Sequence, residues 1–75
     1  MKIENFNIEQ FKADFYDHFE IDLYNRDFGL KQFCKDYKFN KVTLWRILEG
    51  KHKKVNSNHY YLCDLMGKNV WKYEL

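Results

Sequence analysis

The stretch LKQFCKDYKFNKVTLWRILEGK, from Leu30 to Lys51, decides the fold. Apolar residues recur at helical spacing from Leu30 to Tyr37 and again from Lys41 to Glu49. The break between the two segments ends at Asn40, a residue type that favours the N-cap of a helix. The stretch therefore predicts two short helices joined by a tight turn. Their inward-facing residues are Leu30, Phe33, Cys34, Tyr37, Leu44, Ile47 and Leu48.

Helix start signals lie on both sides of the turn. Asn7 is followed three residues later by Gln10, and Phe6 and Phe11 occupy the two positions of a hydrophobic staple. The same arrangement recurs at Phe39, Asn40 and Leu44. The first start predicts a helix running to about Tyr24 with an acidic outer face. Its buried stripe is expected to consist of Ile8, Phe11, Phe15, Phe19 and Leu23.

The remaining boundaries are less sharply marked. The second helix begins at either Asp27 or Gly29, and Gly50 ends the third. A fourth helix is predicted from about Ser57 to Met66, with Gly67 as its stop. The tail after Gly67 is compatible with a short helix, an extended arm or a dimer contact.

The composition predicts one domain, residues 1–75, with an all-α, compact four- to five-helix fold. The chain is 45% hydrophobic and 20% aromatic, which argues against disorder, and it has no proline, no internal repeat and no linker-like tract. Its two cysteines are too few for a disulfide scaffold, and neither a signal peptide nor a membrane span is evident. We expect a cytoplasmic domain that does not contact membranes.

The net charge of +2 is the sum of three unlike segments. Residues 1–30 carry three Lys or Arg against seven Asp or Glu, residues 31–54 carry eight against two, and residues 55–75 carry two of each. A locally basic third is typical of a surface that binds phosphate, although an ordinary solvated face is the alternative.

The outward face of the predicted third helix carries the side chains that are candidates for contacting the bases of DNA. Because Val42 and Arg46 lie nearly opposite the buried leucines, both are presented to solvent. Valine matches the methyl group of thymine, and arginine bonds guanine O6 and N7. Asn40 and Lys41, at the helix start, would reach bases or adjacent phosphates. Arg46 as an ordinary surface cation remains the alternative.

Candidate phosphate contacts surround this helix. Thr43 contacts either a phosphate or its own backbone, and Trp45 either packs against the loop after Gly50 or stacks on a sugar or base. Lysines flank the helix on both sides. The full predicted set is Lys31, Lys35, Thr43, Trp45, Lys51, Lys53 and Lys54.

The segment from Leu30 to Lys51 resembles the Cro/phage-repressor (Xre-type) helix-turn-helix family. Phe33 and Cys34 stand where that family commonly has Leu-Ala, Lys38 stands where it usually has the turn glycine, and Glu49 with Gly50 matches a common ending of the motif. The remaining matched positions are Tyr37, Phe39, Asn40, Leu44 and Ile47. The resemblance implies a lambda-repressor-like fold and positive φ at Lys38.

The resemblance also implies a sequence-specific transcription regulator, in particular a repressor, in a bacterial or phage-infected cell. Its predicted partner is double-stranded DNA, read in the major groove by the helix Lys41–Glu49. Because one reading helix rarely gives nanomolar affinity, we expect a homodimer on an inverted repeat. The predicted dimer surface comprises Tyr60, Tyr61, Met66, Val70 and Trp71.

Two other function classes compete with this prediction. The same scaffold serves protein-binding modules such as antitoxins or phage-encoded inhibitors of host proteins, and the acidic N-terminal helix favours that reading. RNA binding through the basic loop and Trp45 is a further rival. We expect neither an enzyme nor a cofactor, because His18 lies on a charged helix face, and no metal, because His59 and Cys63 lack a second ligand pair.

Overall fold

The computed structural model describes all 75 residues as four α-helices and three short 3₁₀-helices without a strand. The α-helices are α1 (Ile8–His18), α2 (Arg26–Tyr37), α3 (Lys41–Leu48) and α4 (Ser57–Met66). The 3₁₀-helices are Ile3–Asn5, Leu23–Asn25 and Val70–Tyr73. With 68% of its residues helical, the chain has the predicted all-α fold. No helix combines the length and the apolar character that a membrane crossing requires.

Helix α1 begins as predicted but ends about six residues early. Asn7 Oδ1 accepts a hydrogen bond from the Gln10 amide at 3.2 Å, and the Phe6 and Phe11 rings lie 5.4 Å apart. The helix stops because Glu20 adopts the left-handed conformation at φ +53°, and the Ile21 amide bonds back to the Tyr16 carbonyl. Ile21 is therefore buried, whereas Leu23, predicted to be in the stripe, is 64% exposed.

Helix α2 begins at Arg26, earlier than either predicted start, so Gly29 lies inside the helix. A Cβ atom at Gly29 would lie 2.8 Å from Ile21 Cγ2, which explains why this helix accommodates a glycine. Leu30 and Phe33 are buried as predicted. Tyr37 is not: it is 39% exposed and stacks on Phe33 at the edge of the core.

The turn and the two following helices agree with the sequence pattern. Lys38 has φ +53°, as the resemblance implied, and Asn40 Oδ1 accepts from the Thr43 amide at 2.9 Å. Helix α3 ends at Leu48, one residue before the predicted end, and is followed by Gly50 at φ +68°. Helix α4 has its predicted bounds and ends at Gly67, at φ +67°.

The C-terminal tail belongs to the core. The Tyr73 carbonyl accepts from the Asn7 amide, the Leu75 amide donates to the Asn5 carbonyl, and Tyr73 itself is fully buried. Met66 and Val70 are also buried, so their prediction as dimer-surface residues is wrong. Their apolar side chains close the core between α4 and the tail. The exposed members of that predicted surface are Tyr60, Tyr61 and Trp71.

Candidate nucleic-acid interface

The outward face of α3 carries exposed apolar and cationic side chains. Val42 is 59% exposed, Trp45 is 52% exposed and Arg46 is exposed, whereas the opposite face of the helix is buried. The buried residues are Leu44, Ile47 and Leu48. One side of α3 thus anchors the helix in the core, and the other is free for a partner.

The N-terminus of α3 carries exposed polar side chains. Asn40 is exposed, but its Oδ1 serves as the helix cap, which leaves the amide nitrogen for an outside acceptor. Lys41 is exposed in the first turn. Thr43 is half-buried, and its backbone amide donates to the cap. The two contacts predicted for Thr43, with a phosphate or with its own backbone, both stay predictions, because this bond joins its main-chain amide to the Asn40 side chain.

Trp45 is not packed into the aromatic core. It takes part in none of the aromatic pairs of the structure, and about half of its surface is exposed. Stacking of its indole on a sugar or base edge, like packing against the loop after Gly50, stays a prediction.

The predicted phosphate-contacting lysines are all exposed, and none forms an ion pair. The two ion pairs of the protein join Lys12 to Glu9 and Lys72 to Asp14, both outside the basic stretch. The unpaired lysines are Lys31, Lys35, Lys51, Lys53 and Lys54. Their charge is consequently not neutralised by direct contact with a carboxylate.

The basic loop, residues 51–54, is held against two other parts of the chain. The Ile3 amide donates to the Lys53 carbonyl at 3.0 Å, and Lys2 forms an isolated antiparallel bridge with Lys54. Lys2 therefore joins the cationic surface, although sequence reasoning did not select it. Nothing in the local pattern marks Lys2, because the contact spans about fifty residues of chain.

Imidazole groups connect the same loop to α4. His52 lies in the loop and its ring is 5.6 Å from that of His59, which is fully buried. The His59 Nδ1 accepts a hydrogen bond from the Asn56 amide at 3.1 Å. The pKa of His59 is lowered to about 4, mainly by burial and to a smaller extent by the nearby His52. His59 is therefore uncharged at neutral pH and acts as a packed core residue.

The groups considered for catalysis or metal binding are the two cysteines, His18 and His59. Burial raises the pKa of the Cys63 thiol to about 11 and also raises that of Cys34, so neither forms a ready thiolate. His18 is exposed on α1. No group of three His, Cys, Asp or Glu side chains is arranged to hold a metal ion.

Comparison of the chain with family models, curated proteins and solved structures found no match. The helix-turn-helix resemblance therefore depends on the residues of the Leu30–Lys51 segment alone.

Proposed function

We propose that this protein is a sequence-specific DNA-binding transcription regulator that inserts α3 into the major groove. The observation that carries the proposal is the outward presentation of Val42 and Arg46 on the second helix of a helix-turn-helix arrangement, next to lysines without carboxylate partners. A major-groove reading helix needs this combination of base-edge contacts and flanking positive charge.

The two central side chains complement different base edges. Val42 offers methyl groups to the C5-methyl of thymine, and Arg46 offers a two-pronged donor to guanine. They are four residues apart, so they project from the same face of α3 one turn apart. Exposed valine and tryptophan contribute little to solubility, and contact with a groove removes their apolar surface from water.

The helix start and the lysines supply the contacts that fix the register on the duplex. Asn40 and Lys41 lie at the positive end of the α3 dipole, where phosphate is favoured. Lysines before and after α3 neutralise phosphates on either side of it. The residues proposed to contact phosphates are Lys31, Lys35, Lys51, Lys53 and Lys54, together with Thr43 and Trp45.

Two copies bound to an inverted repeat give the affinity that a regulator needs. Half-sites about 34 Å apart place both reading helices on one side of the duplex. Tyr60, Tyr61 and Trp71 remain exposed and form the proposed dimer surface. Occupancy of an operator by such a dimer blocks transcription, which makes the protein a repressor in a bacterial or phage-infected cell.

Selection from a random duplex pool tests the proposal directly. We expect one enriched sequence with two-fold symmetry. Arg46→Ala should reduce discrimination at one position per half-site by about 5- to 150-fold. Arg26→Ala is the matched control, because Arg26 is the other arginine of the chain and is exposed at the start of α2. A pool without enrichment, or equal losses of base discrimination in Arg46→Ala and Arg26→Ala, would overturn the proposal that α3 reads the major groove.

A further inference from the structure

A second surface lies between the end of α1 and one face of α2. It is a groove of about 500 Å³, within the range of sites that bind small ligands or short peptide segments. Ile21 and Phe33 are its buried apolar lining residues, while Phe28 is 64% exposed and Tyr37 is partly exposed. We call this surface the acidic groove, because Glu20, Asp22 and Asp36 line it.

Three carboxylates line the groove, and no Lys, Arg or His does. Asp36 accepts a hydrogen bond from Gln32 Nε2 at 2.9 Å, and Asp22 Oδ1 accepts from the Tyr24 amide at 2.9 Å. The side chain of Glu20 has no hydrogen-bond partner, and none of the three carboxylates forms an ion pair. The groove thus has an apolar interior edged by negative charge that the protein itself does not compensate.

We propose that the acidic groove binds a basic segment of a partner protein, in which arginine or lysine side chains flank an apolar one. The apolar side chain covers Ile21 and Phe33. The flanking cations pair with Glu20, Asp22 and Asp36, and a guanidinium also stacks on the exposed ring of Phe28. This surface is separate from α3, so the proposal is independent of DNA binding.

Charge complementarity selects this occupant over the alternatives. Nucleic acid and acidic peptides are repelled by three carboxylates in one groove. The basic loop of a second copy is a poor fit, because Val55, the apolar residue next to its lysines, is half-buried and cannot cover Ile21 and Phe33. A separate chain that presents cations around an exposed apolar residue satisfies both properties of the groove.

Nuclear magnetic resonance titration with defined peptides tests the proposal. The probe is a short peptide that alternates arginine with leucine. Its two controls replace every arginine by glutamate, or every leucine by serine. We expect amide shifts confined to groove residues such as Gly29, Gln32 and Asp36, and weaker binding of both control peptides.

Matched variants distinguish binding of the peptide in the acidic groove from non-specific electrostatic attraction to the protein. Asp36→Asn should weaken binding of the arginine-leucine peptide about three- to tenfold. Asp64→Asn makes the same charge change on α4 and should leave binding unchanged. Phe28→Ala should weaken binding by a similar factor, whereas Tyr24→Ala removes an exposed ring that does not line the groove and should have no effect. Because all four side chains are exposed, we expect every variant to fold, and thermal unfolding checks this.

Three results would overturn the proposal. They are equal effects of Asp36→Asn and Asp64→Asn, equal binding of the glutamate peptide, or shifts that map to α3 and the basic loop. Concentration-dependent shifts of the groove without any peptide would identify the occupant as a second copy instead. None of these results would change the expected duplex selection, so the two proposals fail separately.

Discussion

The Tyr73 hydroxyl donates a 2.7 Å hydrogen bond to Asp14 Oδ2, across 59 residues of sequence. Lys72 Nζ lies 2.9 Å from the same oxygen, so the last 3₁₀-helix is joined to the middle of α1 by two contacts on one carboxylate. Tyr73 is fully buried among Phe6 and Phe11, whose rings lie 5.6 and 5.4 Å from its own. The tail is thereby fixed to the core.

Tyr73→Phe is expected to destabilise the protein by about 1–2 kcal/mol, because it removes a donor to a charged acceptor while keeping the buried ring. Urea unfolding at neutral pH measures the change. Glu9→Gln serves as the control, since Glu9 is exposed and its ion pair with Lys12 is long, at 4.0 Å. A loss in Tyr73→Phe no larger than in Glu9→Gln would contradict this role.

Asp14 should also make stability depend on strongly acidic pH. The hydrogen bond from Lys72, helped by those from Tyr73 and Gln10 and opposed by partial burial, lowers the pKa of Asp14 from 3.8 to about 2. Because the folded pKa is the lower one, the stabilisation is present above pH 3.8 and is lost as the pH falls toward 2. Asp14→Asn should remove this component, which denaturant titrations between these pH values detect.

His59 acts over a different pH range. Its pKa falls from 6.5 in the unfolded chain to about 4 in the core, because burial and His52 disfavour the charged form. Nδ1 accepts from the Asn56 amide, so a charging proton at Nδ1 would break that hydrogen bond, and Nε2 has no hydrogen-bond partner. The contribution of His59 to stability should therefore decrease between pH 6.5 and 4 by up to about 3 kcal/mol and level off below pH 4, where the loss of the Asp14 contribution begins.

The control for that measurement is His18→Gln, which changes a histidine that is exposed on α1. His59→Gln should be less stable at pH 7 but flatter between pH 6.5 and 4. An unchanged slope in His59→Gln would show that another group titrates there.

Lys38→Gly should stabilise the protein by about 0.5–1 kcal/mol. Lys38 has φ +53°, which glycine adopts without a Cβ clash, although glycine also adds entropy to the unfolded chain. Lys35→Gly, inside the last turn of α2, should instead destabilise by about 1 kcal/mol. Urea midpoints that move in the same direction in both variants would contradict the strain at Lys38.

Gly29→Ala should destabilise by about 1–3 kcal/mol despite the better helix propensity of alanine, because the new Cβ would lie 2.8 Å from Ile21 Cγ2. In an Ile21→Ala background the clash disappears, and the same change should stabilise by up to about 1 kcal/mol. The two single variants and the double variant form a cycle whose coupling energy measures the contact. Additive effects would argue against it.

For the proposed DNA complex, Lys53→Ala should weaken binding to all duplexes alike, in contrast to the base-specific effect of Arg46→Ala. The slope of log affinity against log salt should become shallower by about 0.9 for each phosphate that the variant no longer neutralises, or twice that for a symmetric dimer. Lys68→Ala, outside the basic stretch, is the control. Identical salt slopes in all proteins would exclude Lys53 as a phosphate-binding residue.

Local sequence determined the starts of α1, α3 and α4 and the stops after α3 and α4. The caps at Asn7 and Asn40 and the stops at Gly50 and Gly67 are residue types whose effect is felt within one helical turn, and all four occur as predicted. The exposure of Val42 on α3 followed equally from helical periodicity, because its opposite face carries the leucines. The binding of DNA by that face stays a proposal.

Tertiary structure decided what no local signal marks. Helix α1 ends early at Glu20, whose residue type gives no indication of positive φ. This helix end accompanies the burial of Ile21 against Gly29. Burial of the tail and the joining of Lys2 to Lys54 depend on contacts between distant segments. The acidic groove forms only when the residues that follow α1 pack against α2. Capping and periodicity act over a few residues, whereas the choice of which apolar side chains leave water depends on the whole packed chain.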